Sequence, residues 1–497
     1  FTGYQVVVTA VSEAGRVIDA AGTAIDVSSD WAKFPRYGYL AHFDARLDAV
    51  GVVRALNDFH LNGLQFYDWQ WKHHLPYHDG ATWRDIANRP ISRDTVERFI
   101  AAAHAHRMMA MNYNLYGGAF DGYPADGSGA RLSMGLFAHP PPRGGYTLAD
   151  QTSVTLPDGW ATRHLYEMNN DDPGWQAYIF GREREVFAHF GFDGWHVDSL
   201  GTRGGFAASG APVNLIDHYP EFLNAAKAAL GKRIVFNNVD ADGQEQVAAR
   251  ANVDFVYSEL WNDTTYGSIA TRAEQIRAIG RKALVFAAYV NRGRERGTFN
   301  EPAVRLADAV IFASGASHLE LGDDVRMLHH EYFPDDASVL MTDSLRAAMR
   351  GYYDFLVAYE NLLRDQTRPD PAPVDVAGVR TSPNGATGTV WVFRKRNPGH
   401  QVVHFINLTG NRSDAWRDEQ GTCPRPPVLH SLAVRLHVDP DSAPGTLWVA
   451  TPDENFGRPQ RLSYVTGKDD TGPFIRFTLP RLEYWTMAWL DGASGSR

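Results

Sequence analysis

The chain has 497 residues, more than one ordinary domain core holds, so we expect two or three domains, one of them large enough for an α/β barrel. Hydrophobic residues make up 44% and charged residues 21%, as in average globular proteins, and no run of 18 apolar residues predicts a membrane span. The formal net charge of -10, without a basic block, argues against a nucleic-acid partner.

The first 33 residues are predicted to form strands of a small N-terminal β-domain. Two stretches that alternate apolar and polar residues, Tyr4 to Ala10 and Arg16 to Val27, are typical of β-strands. We interpret residues 1–33 as the incomplete remnant of an immunoglobulin-like β-sandwich. The sequence begins at Phe1 without Met or an apolar signal region, so a signal peptide is not present in it.

Residues 34–370 are predicted to form a (β/α)8 TIM barrel, which places the protein in the α/β fold class. Short apolar runs alternate here with helical segments, the pattern of βα units and a parallel sheet. There are eight runs, the number at which this barrel closes. They begin at Tyr37, Leu61, Met108, Phe192, Arg233, Val253, Lys282 and Ser317.

Capping residues support the intervening helices. Ser92 opens a helical stretch that ends at Arg107, and Gly231 follows another that runs from Asp217 to Leu230. The span from Gly117 to Trp175 breaks this rhythm and is rich in Gly, Pro and Asp. A loop of that length in a compact domain is usually functional, and we expect it to lie over the active face.

Residues 371–497 are predicted to form a C-terminal antiparallel β-sandwich. The Pro/Asp-rich sequence DQTRPDPAPVD marks the boundary, and runs such as TVWVFRKR, QVVHFINL, LAVRLHV and TLWVA follow it. Cys423 is the only cysteine, so the chain has neither an intramolecular disulfide nor a cysteine-based zinc site.

Barrel enzymes build their active sites at the carboxyl ends of the strands, so the residues that end each run are the candidate site. Carboxylates, amides and aromatic rings dominate these positions, a mixture that suits a carbohydrate, because aromatic rings stack on sugars while the polar groups bind hydroxyls. We still expect roughly two thirds of the 13 Trp and 21 Tyr residues to lie in the core. The strand-end residues are Tyr67, Asp68 and Trp69; Asn112, Tyr113, Asn114 and Tyr116; His196 and Asp198; Asn237 and Asn238; Tyr257, Glu259 and Trp261; Tyr289 and Asn291; and Glu320, Asp323 and Asp324.

Asp198 and Glu259 are the best candidate pair for glycoside cleavage, which needs two carboxyl groups across the scissile bond. They end the fourth and sixth runs, which places them on opposite sides of the barrel mouth. On position alone, Asp198 could instead cap the helix after its strand, and Glu259 could be a surface residue of a loop.

No metal or nucleotide site is predicted. The turn from Asn238 to Gly243 resembles the start of a calcium loop, but position twelve is Ala249, where a bidentate Glu is required. The histidine pairs at 73–74 and 329–330 are adjacent and not one helical turn apart, unlike the ligands of a zinc helix. The chain also has no GxSxG elbow, phosphate loop or GxGxxG motif.

Four segments resemble the dextranase and cycloisomaltooligosaccharide glucanotransferase family, glycoside hydrolase family 66. They are FPRYGYL at 34–40, FYDWQWKHHLP at 66–76, GFDGWHVDSLG at 191–201 and VDFVYSELW at 253–261, of which the last two, in order and spacing, are the most specific. The resemblance covers nearly the whole chain. It implies that Asp198 is the nucleophile and Glu259 the general acid/base of a retaining mechanism.

The resemblance implies an endo-acting hydrolase of α-1,6 linkages in dextran or a related branched, mixed-linkage or cyclic glucan. Such an enzyme would be a secreted or periplasmic bacterial monomer that needs no cofactor and binds neither nucleic acid nor a membrane. The side chains expected to contact the glucan are Tyr67, Asp68, Trp69, Tyr113, His196, Asn238, Tyr257, Trp261 and Glu320.

Two other functions stay open. A transglycosylase would use the same residues with a sugar hydroxyl in place of water, and a glucan-binding protein would have lost catalysis but kept its groove. The cyclising members of the family resemble one another in carrying a carbohydrate-binding module after the seventh strand. Only 26 residues separate Val290 from Ser317, too few for that module, which favours hydrolysis.

Overall fold

Eight short parallel strands form the centre of the computed structural model, which describes residues 2–280, 282–323, 326–330, 339–439 and 444–492. Each strand coincides with one of the eight apolar runs, and they are hydrogen-bonded in sequence order from the first to the eighth. The strands are Tyr37–Leu40, Gly63–Phe66, Met109–Leu115, Gly194–Asp198, Arg233–Val239, Val256–Glu259, Leu284–Ala287 and Ser317–Leu319.

The sheet curls round until its last strand lies beside its first. The N–H of Tyr39 in the first strand donates to the carbonyl of Leu321, just beyond the eighth, at 3.0 Å. The barrel is therefore nearly closed, as the sequence predicts. Its interior is filled by apolar and aromatic side chains from alternate strand positions, such as Met111, Val235 and Val285, which are fully buried.

Helices surround the barrel, and the two predicted capping residues lie at helix ends. The Ser92 hydroxyl accepts the N–H of Thr95 at 3.4 Å at the start of the second helix. Gly231 ends the fourth helix with φ of 64°, a left-handed conformation that costs glycine little. The helices are Ala49–Asn57, Arg93–Ala105, Pro173–His189, Tyr219–Leu230, Gln244–Arg250, Tyr266–Ile279, Glu301–Ser314, Asp343–Ala358 and Glu360–Arg364. No helix in these described ranges is both long enough and apolar enough to cross a bilayer.

The segment from 117 to 175 is more regular than a loop, which corrects the sequence-based expectation. Its short strands, Gly118–Phe120, Ser153–Thr155 and His164–Glu167, form a three-stranded antiparallel sheet. Phe120 and Leu165 of this sheet, with Leu156 just beyond the strand Ser153–Thr155, form an apolar cluster with Leu115, the last residue of the third barrel strand. Leu200 packs against this cluster from beyond the fourth strand. The segment thus lies beside the carboxyl ends of strands three and four.

Short elements complete this part of the chain. The single-turn 3-10 helices are Tyr123–Ala125, Leu132–Met134, Leu148–Asp150 and Leu215–His218. Two-stranded sheets are formed by Thr82–Arg84 with Pro90–Ser92, by Gly204–Phe206 with Pro212–Asn214, and by Gly297–Thr298 with Val339–Leu340.

The N-terminal residues form an antiparallel hairpin of two strands, Thr2–Val11 and Val17–Val27, as predicted. The hairpin packs against the helix Asp343–Ala358, where the Thr23 hydroxyl donates to Asp354 at 3.1 Å. A two-stranded hairpin is marginally stable alone, so this packing and the largely buried ion pair of Asp26 with Arg36, at 2.7 Å, hold it in place.

The C-terminal residues form two sheets packed face to face, antiparallel except for the short strand Thr381–Ser382, which confirms the predicted sandwich. Apolar side chains of both sheets, such as Phe405 and Ile475, are buried between them. One sheet contains Arg368–Pro369, Thr381–Ser382, Val390–Asn397, His400–Asn407, Pro444–Ala450, Gln460–Leu462 and Trp485–Gly492. The other contains Val374–Val376, Leu429–His437, Val465–Asp469 and Gly472–Leu482. The 3-10 turn Asn455–Gly457 contacts the barrel helix Asp343–Ala358.

A buried carboxylate links the sandwich to the barrel helices. Asp453 accepts hydrogen bonds from Arg305 and the Tyr352 hydroxyl, each at 2.9 Å, and from the N–H groups of Tyr484 at 2.8 Å and Trp485 at 3.0 Å. Its side chain is fully buried. Four donors therefore converge on one charge and join the two parts of the chain.

We expect Asp453→Ala to lower the free energy of unfolding by about 3–5 kcal/mol, because it leaves the Tyr352 hydroxyl and two N–H groups without this acceptor and leaves Arg305 paired with the more exposed Glu301. Denaturant titration followed by tryptophan fluorescence measures the change. Asp470→Ala, in an exposed turn of the same sandwich, is the control and should change the value by less than about 0.5 kcal/mol. Equal effects of both variants would contradict this role.

Candidate active site

The two candidate catalytic carboxylates stand at the same level of the barrel mouth. Asp198 is the last residue of the fourth strand and Glu259 the last residue of the sixth. The fifth strand lies between them and pairs with both, so that Val197 is opposite Phe236 and Glu259 is opposite Val239. This register brings the two carboxylates to either side of one strand end.

Asn237 of the fifth strand joins the two carboxylates. Its side-chain nitrogen Nδ2 donates to Asp198 Oδ1 at 2.9 Å and lies 3.3 Å from Glu259 Oε2. Since one nitrogen reaches both oxygens, these oxygens are at most about 6 Å apart, within the range of a carboxyl pair that acts by double displacement. Asn237 is itself buried, so its amide is fixed in this place.

Asp198 receives hydrogen bonds on both of its oxygens. The Tyr113 hydroxyl donates to Oδ2 at 2.6 Å, and the N–H of Ser199 donates to Oδ1 at 2.8 Å beside the Asn237 amide. Burial raises the pKa of Asp198 above its ordinary value, and these three hydrogen bonds lower it again only in part. The donors stabilise the ionised form, which is the form that a nucleophile needs.

Glu259 is more buried than Asp198, with 8% of its surface exposed, and it lies near the negative charge of Asp198. Burial and the charge of Asp198 raise its pKa to about 7, against hydrogen bonds from Tyr289, Asn237 and Trp261 that lower it. The Tyr289 hydroxyl donates to Oε1. Glu259 can therefore hold a proton near neutral pH while Asp198 is ionised, the division of labour that a general acid and a nucleophile require.

An aromatic layer supports the pair from inside the barrel. The His196 ring lies between the rings of Tyr37 and Tyr113, with centroids 5.7 and 5.8 Å away, and meets Tyr257 edge-on at 4.9 Å. Burial lowers the pKa of His196 to about 3, so the ring is neutral. His196 and Tyr257 precede the two catalytic candidates by two residues, and they form the floor of the site.

Tyr67 and Asp68 lie on the rim beside Asp198. The Tyr67 ring packs on Tyr113 with centroids 4.7 Å apart. Burial raises the pKa of Asp68 to about 7; Arg89 lowers it, and the charges of Asp85 and Asp198 raise it further. Asp68 has φ of 49°, so its backbone is held in a left-handed conformation at this point.

Trp261 lies on the side of Glu259, two residues beyond it. Its ring stacks on Tyr289 with centroids 5.0 Å apart and planes at 27°, and the guanidinium of Arg292 lies 5.1 Å from it. Trp261 is only partly buried, so one part of this apolar surface reaches solvent. The predicted residues Tyr67, Asp68, Tyr113, His196, Tyr257 and Trp261 are thus brought together around the carboxyl pair.

Two other predicted sugar contacts face away from the mouth. Trp69 is fully buried against Phe190 and Phe192 in the outer core, and its Nε1 donates to Asn112 at 2.7 Å. Asn238 is fully buried as well and donates to the carbonyl of Asp242 at 2.9 Å. Both side chains support the surrounding structure, and neither reaches the space above the carboxylates.

Glu320 belongs to a buried ion-pair network behind the eighth strand. His318 Nδ1 lies 2.8 Å from Asp308 and 3.2 Å from Glu320, which also accepts the Tyr353 hydroxyl at 3.0 Å. Burial alone would lower the pKa of His318, but the two carboxylates raise it to about 10. The contact with Asp308 is a hydrogen bond and the contact with Glu320 is an ion pair, so Glu320 stabilises the fold and does not face the mouth.

Asp323 closes the barrel. It accepts the N–H of Ala41 at 3.2 Å and lies 2.8 Å from His42 Nδ1, which ties the loop after the first strand to the eighth. Asp324, also named from the sequence, lies outside the described residues.

The acidic side chains of the calcium-like turn, Asn238 to Gly243, accept hydrogen bonds from neighbouring residues of the protein. Arg203 donates to Asp242 at 2.6 Å, and the N–H of Asn262 donates to Asp240 at 2.8 Å. The turn thereby ties the loops after strands four, five and six to one another around the mouth.

The sequence places Asn237 and Tyr289 at strand ends, but neither is among the predicted sugar contacts. Asn237 follows the interior residue Val235 by two positions and Tyr289 follows the interior residue Ala287 by two, so alternation points both side chains inward once one interior residue of each strand is known. The same rule turns Asn238 away from the mouth.

Comparison with known proteins shows the family of this chain. The model of glycosyl hydrolase family 66 matches residues 1–489. Two cycloisomaltooligosaccharide glucanotransferases of Niallia circulans are 29% identical to this chain over 100% and 99% of its length. A dextranase of Streptococcus salivarius is 24% identical over 98% of it. The chain spans 65% and 64% of the two transferases and 67% of the dextranase.

Solved structures show the same relationship. A cycloisomaltooligosaccharide glucanotransferase of Paenibacillus sp., complexed with cycloisomaltoheptaose, matches with a TM-score of 0.91 and 27% identity over 98% of this chain and 88% of that one. An α-amylase of Anoxybacillus, at 11% identity and a TM-score of 0.53, covers 94% of this chain and shares the fold alone. The family match over nearly the whole chain confirms the resemblance seen in the four sequence segments: the chain belongs to glycosyl hydrolase family 66.

Proposed function

We propose that this protein is an endo-acting, retaining glycoside hydrolase of α-1,6-glucosidic linkages in dextran or a related glucan. The single observation that carries the proposal is the pair of carboxyl groups, Asp198 and Glu259, that share the amide of Asn237. A spacing of about 5–6 Å lets one group attack the sugar while the other protonates the departing oxygen. The names of the relatives, dextranase and cycloisomaltooligosaccharide glucanotransferase, support an α-1,6-linked glucan as substrate.

In the first step, an oxygen of Asp198 attacks the anomeric carbon, and the bond from that carbon to the glycosidic oxygen breaks. Glu259 donates its proton to the departing oxygen, so the leaving chain departs as an alcohol. The donors on Asp198, the Tyr113 hydroxyl and the Ser199 N–H, hold the carboxylate in place for the attack. The product of this step is a glycosyl ester of Asp198 and an ionised Glu259.

In the second step, water attacks the ester. Esterification removes the negative charge of Asp198, which is one of the causes that raise the pKa of Glu259, so that pKa falls and Glu259 remains ionised as a base. Glu259 takes a proton from the water, the new bond forms at the anomeric carbon, and Asp198 leaves as a carboxylate. Two inversions preserve the configuration.

Tyr67, Asp68, Tyr113 and Trp261 are the side chains that we assign to the glucan. Tyr67 and Trp261 flank the two carboxylates with apolar ring surface, and Asp68 offers oxygens to sugar hydroxyls from the side of Asp198. His196 and Tyr257 lie beneath these groups and support them. We further propose that the protein acts as a secreted or periplasmic monomer without a cofactor, which suits a polymeric substrate.

Transglycosylation is a second candidate, because relatives with 29% identity are glucanotransferases. The same two carboxylates would serve if a sugar hydroxyl reached the glycosyl ester before water. The connection from the seventh to the eighth strand contains a turn and the helix Glu301–Ser314, and it holds no inserted module. This supports hydrolysis. Analysis of the products from dextran, read for new reducing ends and their sizes against closed rings, tests the two alternatives and the endo mode.

We expect Asp198→Asn to lower turnover of dextran by a factor of about 10⁴ or more, because an amide of nearly the same shape cannot act as the nucleophile. Glucan binding, measured by calorimetry with isomaltooligosaccharides, and the thermal midpoint should change little. A variant that retained its activity would rule out Asp198 as the nucleophile.

We expect Glu259→Gln to lose much more activity on dextran than on an activated aryl glycoside, whose leaving group needs no proton. Added azide should then replace the missing base in the second step and give a glycosyl azide of retained configuration. The measurements are kcat/KM on both substrates and analysis of the azide product. Equal losses on both substrates, with no azide product although the glycosyl ester forms, would exclude Glu259 as the acid/base.

The basic limb of the pH profile should follow the pKa of Glu259, about 7, because kcat/KM needs this group protonated and falls as pH rises through its pKa. Tyr289→Phe removes a hydrogen bond that lowers this pKa. We therefore expect the basic limb of the variant to move to higher pH. Tyr353→Phe, which loses a hydroxyl donor to Glu320 and not to Glu259, is the matched control and should leave the limb in place. A shift to lower pH in Tyr289→Phe would contradict the assignment.

A further inference from the structure

Residues 414–418 of the C-terminal sandwich cross to the barrel mouth on the side of Glu259, and we call this segment the clasp. The carbonyl of Asp414 accepts the N–H of Tyr266 at 2.9 Å, and Ala415 forms an antiparallel bridge with Thr265. The fully buried Trp416 donates through Nε1 to the carbonyl of Asp263 at 2.5 Å. The clasp is thus fixed to the loop that follows the sixth barrel strand.

Arg417 is the clasp residue that contacts the two residues after the candidate acid/base. Its Nη2 donates to the carbonyl of Leu260 at 2.7 Å and lies 3.4 Å from the carbonyl of Trp261. The guanidinium also lies 5.5 Å from the Trp261 ring and 4.9 Å from the Trp416 ring. Leu260 and Trp261 directly follow Glu259, so Arg417 fixes the backbone and the ring that adjoin this carboxyl group.

The clasp also holds the loop after the seventh strand. The N–H of Asn291 donates to the carbonyl of Arg417 at 2.7 Å, and its side-chain nitrogen donates to the carbonyl of Asp418 at 2.7 Å. Asn291 follows Tyr289 by two residues, and the Tyr289 hydroxyl donates to Glu259. The turn after Glu259 on strand six and the loop after Tyr289 on strand seven are therefore both tied to the clasp.

We propose that Arg417 is a positioning residue, through which the C-terminal sandwich completes the barrel's active site by orienting Trp261 and Glu259. The guanidinium donates to the carbonyls of Leu260 and Trp261 in the turn after strand six. It also lies near the Trp261 ring, which hydrogen-bonds to Glu259. Arg417 itself contacts no reacting atom; its effect on the reaction passes through Glu259. This inference rests on the proposed role of Glu259 as acid/base.

The test compares kcat/KM of Arg417→Ala on dextran and on an activated aryl glycoside. General acid catalysis contributes about 10²–10⁴-fold, so a misplaced acid should cost about 10–100-fold on dextran and less than about threefold on the substrate that needs no proton. A purely structural role would lower both rates together. Arg417→Lys keeps a cationic donor for the Leu260 carbonyl and should recover part of the loss on dextran.

Arg425→Ala is the matched control, because Arg425 lies in the same connection but binds Glu483 within the sandwich. It should leave both rates unchanged. Should Arg417→Ala fold poorly, the Arg417→Lys variant alone still decides the question, since it must show a loss on dextran that exceeds its loss on the aryl glycoside.

Glu259→Gln serves as the reference that separates two kinds of failure. If it shows no difference between the two substrates, the proposed function fails. If it shows the difference while both Arg417 variants lose equally on the two substrates, or lose nothing, the inference about Arg417 fails alone.

Discussion

The amide of Asn237 is the contact on which the rest of the site depends. Two carboxyl groups at most about 6 Å apart repel each other when both are ionised, so a site of this kind needs one group to stay protonated. Each group accepts three hydrogen bonds and burial raises the pKa of both, so neither the donors nor burial alone separates them. The difference is the charge of Asp198, which is the second cause that raises the pKa of Glu259, to about 7. Glu259 is therefore the group that can hold the proton near neutral pH, and the register of strands four, five and six is what brings it beside that charge.

The barrel and the carboxyl pair could be predicted because both leave strong local signals. Eight apolar runs separated by capped helices predict eight strands, and a polar residue that ends such a run is a candidate by position. The sequence indicates less clearly which of two neighbouring strand-end residues points into the barrel. Strands of a parallel barrel are buried on both faces, so their apolar residues do not alternate and do not reveal which face is inside. The sequence pattern therefore favours Asn238 as readily as Asn237, and it places Trp69 and Glu320 at the mouth although both face the outer core.

Contacts between distant segments left no signal in the sequence. Arg417 and Leu260 are separated by 157 positions, and nothing in either local pattern indicates that they meet. The segment from 117 to 175 illustrates a related limit. Its strands have only three or four residues, too short for a period of two to appear, and they are recognisable only through the apolar cluster that they form with Leu115.

Polar groups buried between the barrel and the sandwich indicate that these two domains keep a fixed relative position. Lys395 of the sandwich donates to the carbonyls of Ala313 and Leu363, each at 2.5 Å, and thereby satisfies the ends of two barrel helices. Burial lowers the pKa of Lys395 well below its usual range, and its nitrogen keeps both hydrogen bonds only while these carbonyls stay in place. A buried polar group of this kind tolerates little sliding between the two parts, because a small displacement would leave the nitrogen and the carbonyls without partners. The clasp uses that property, since the sandwich that is locked to the barrel by Lys395 and Asp453 is the same body that carries Arg417 to the turn beyond Glu259.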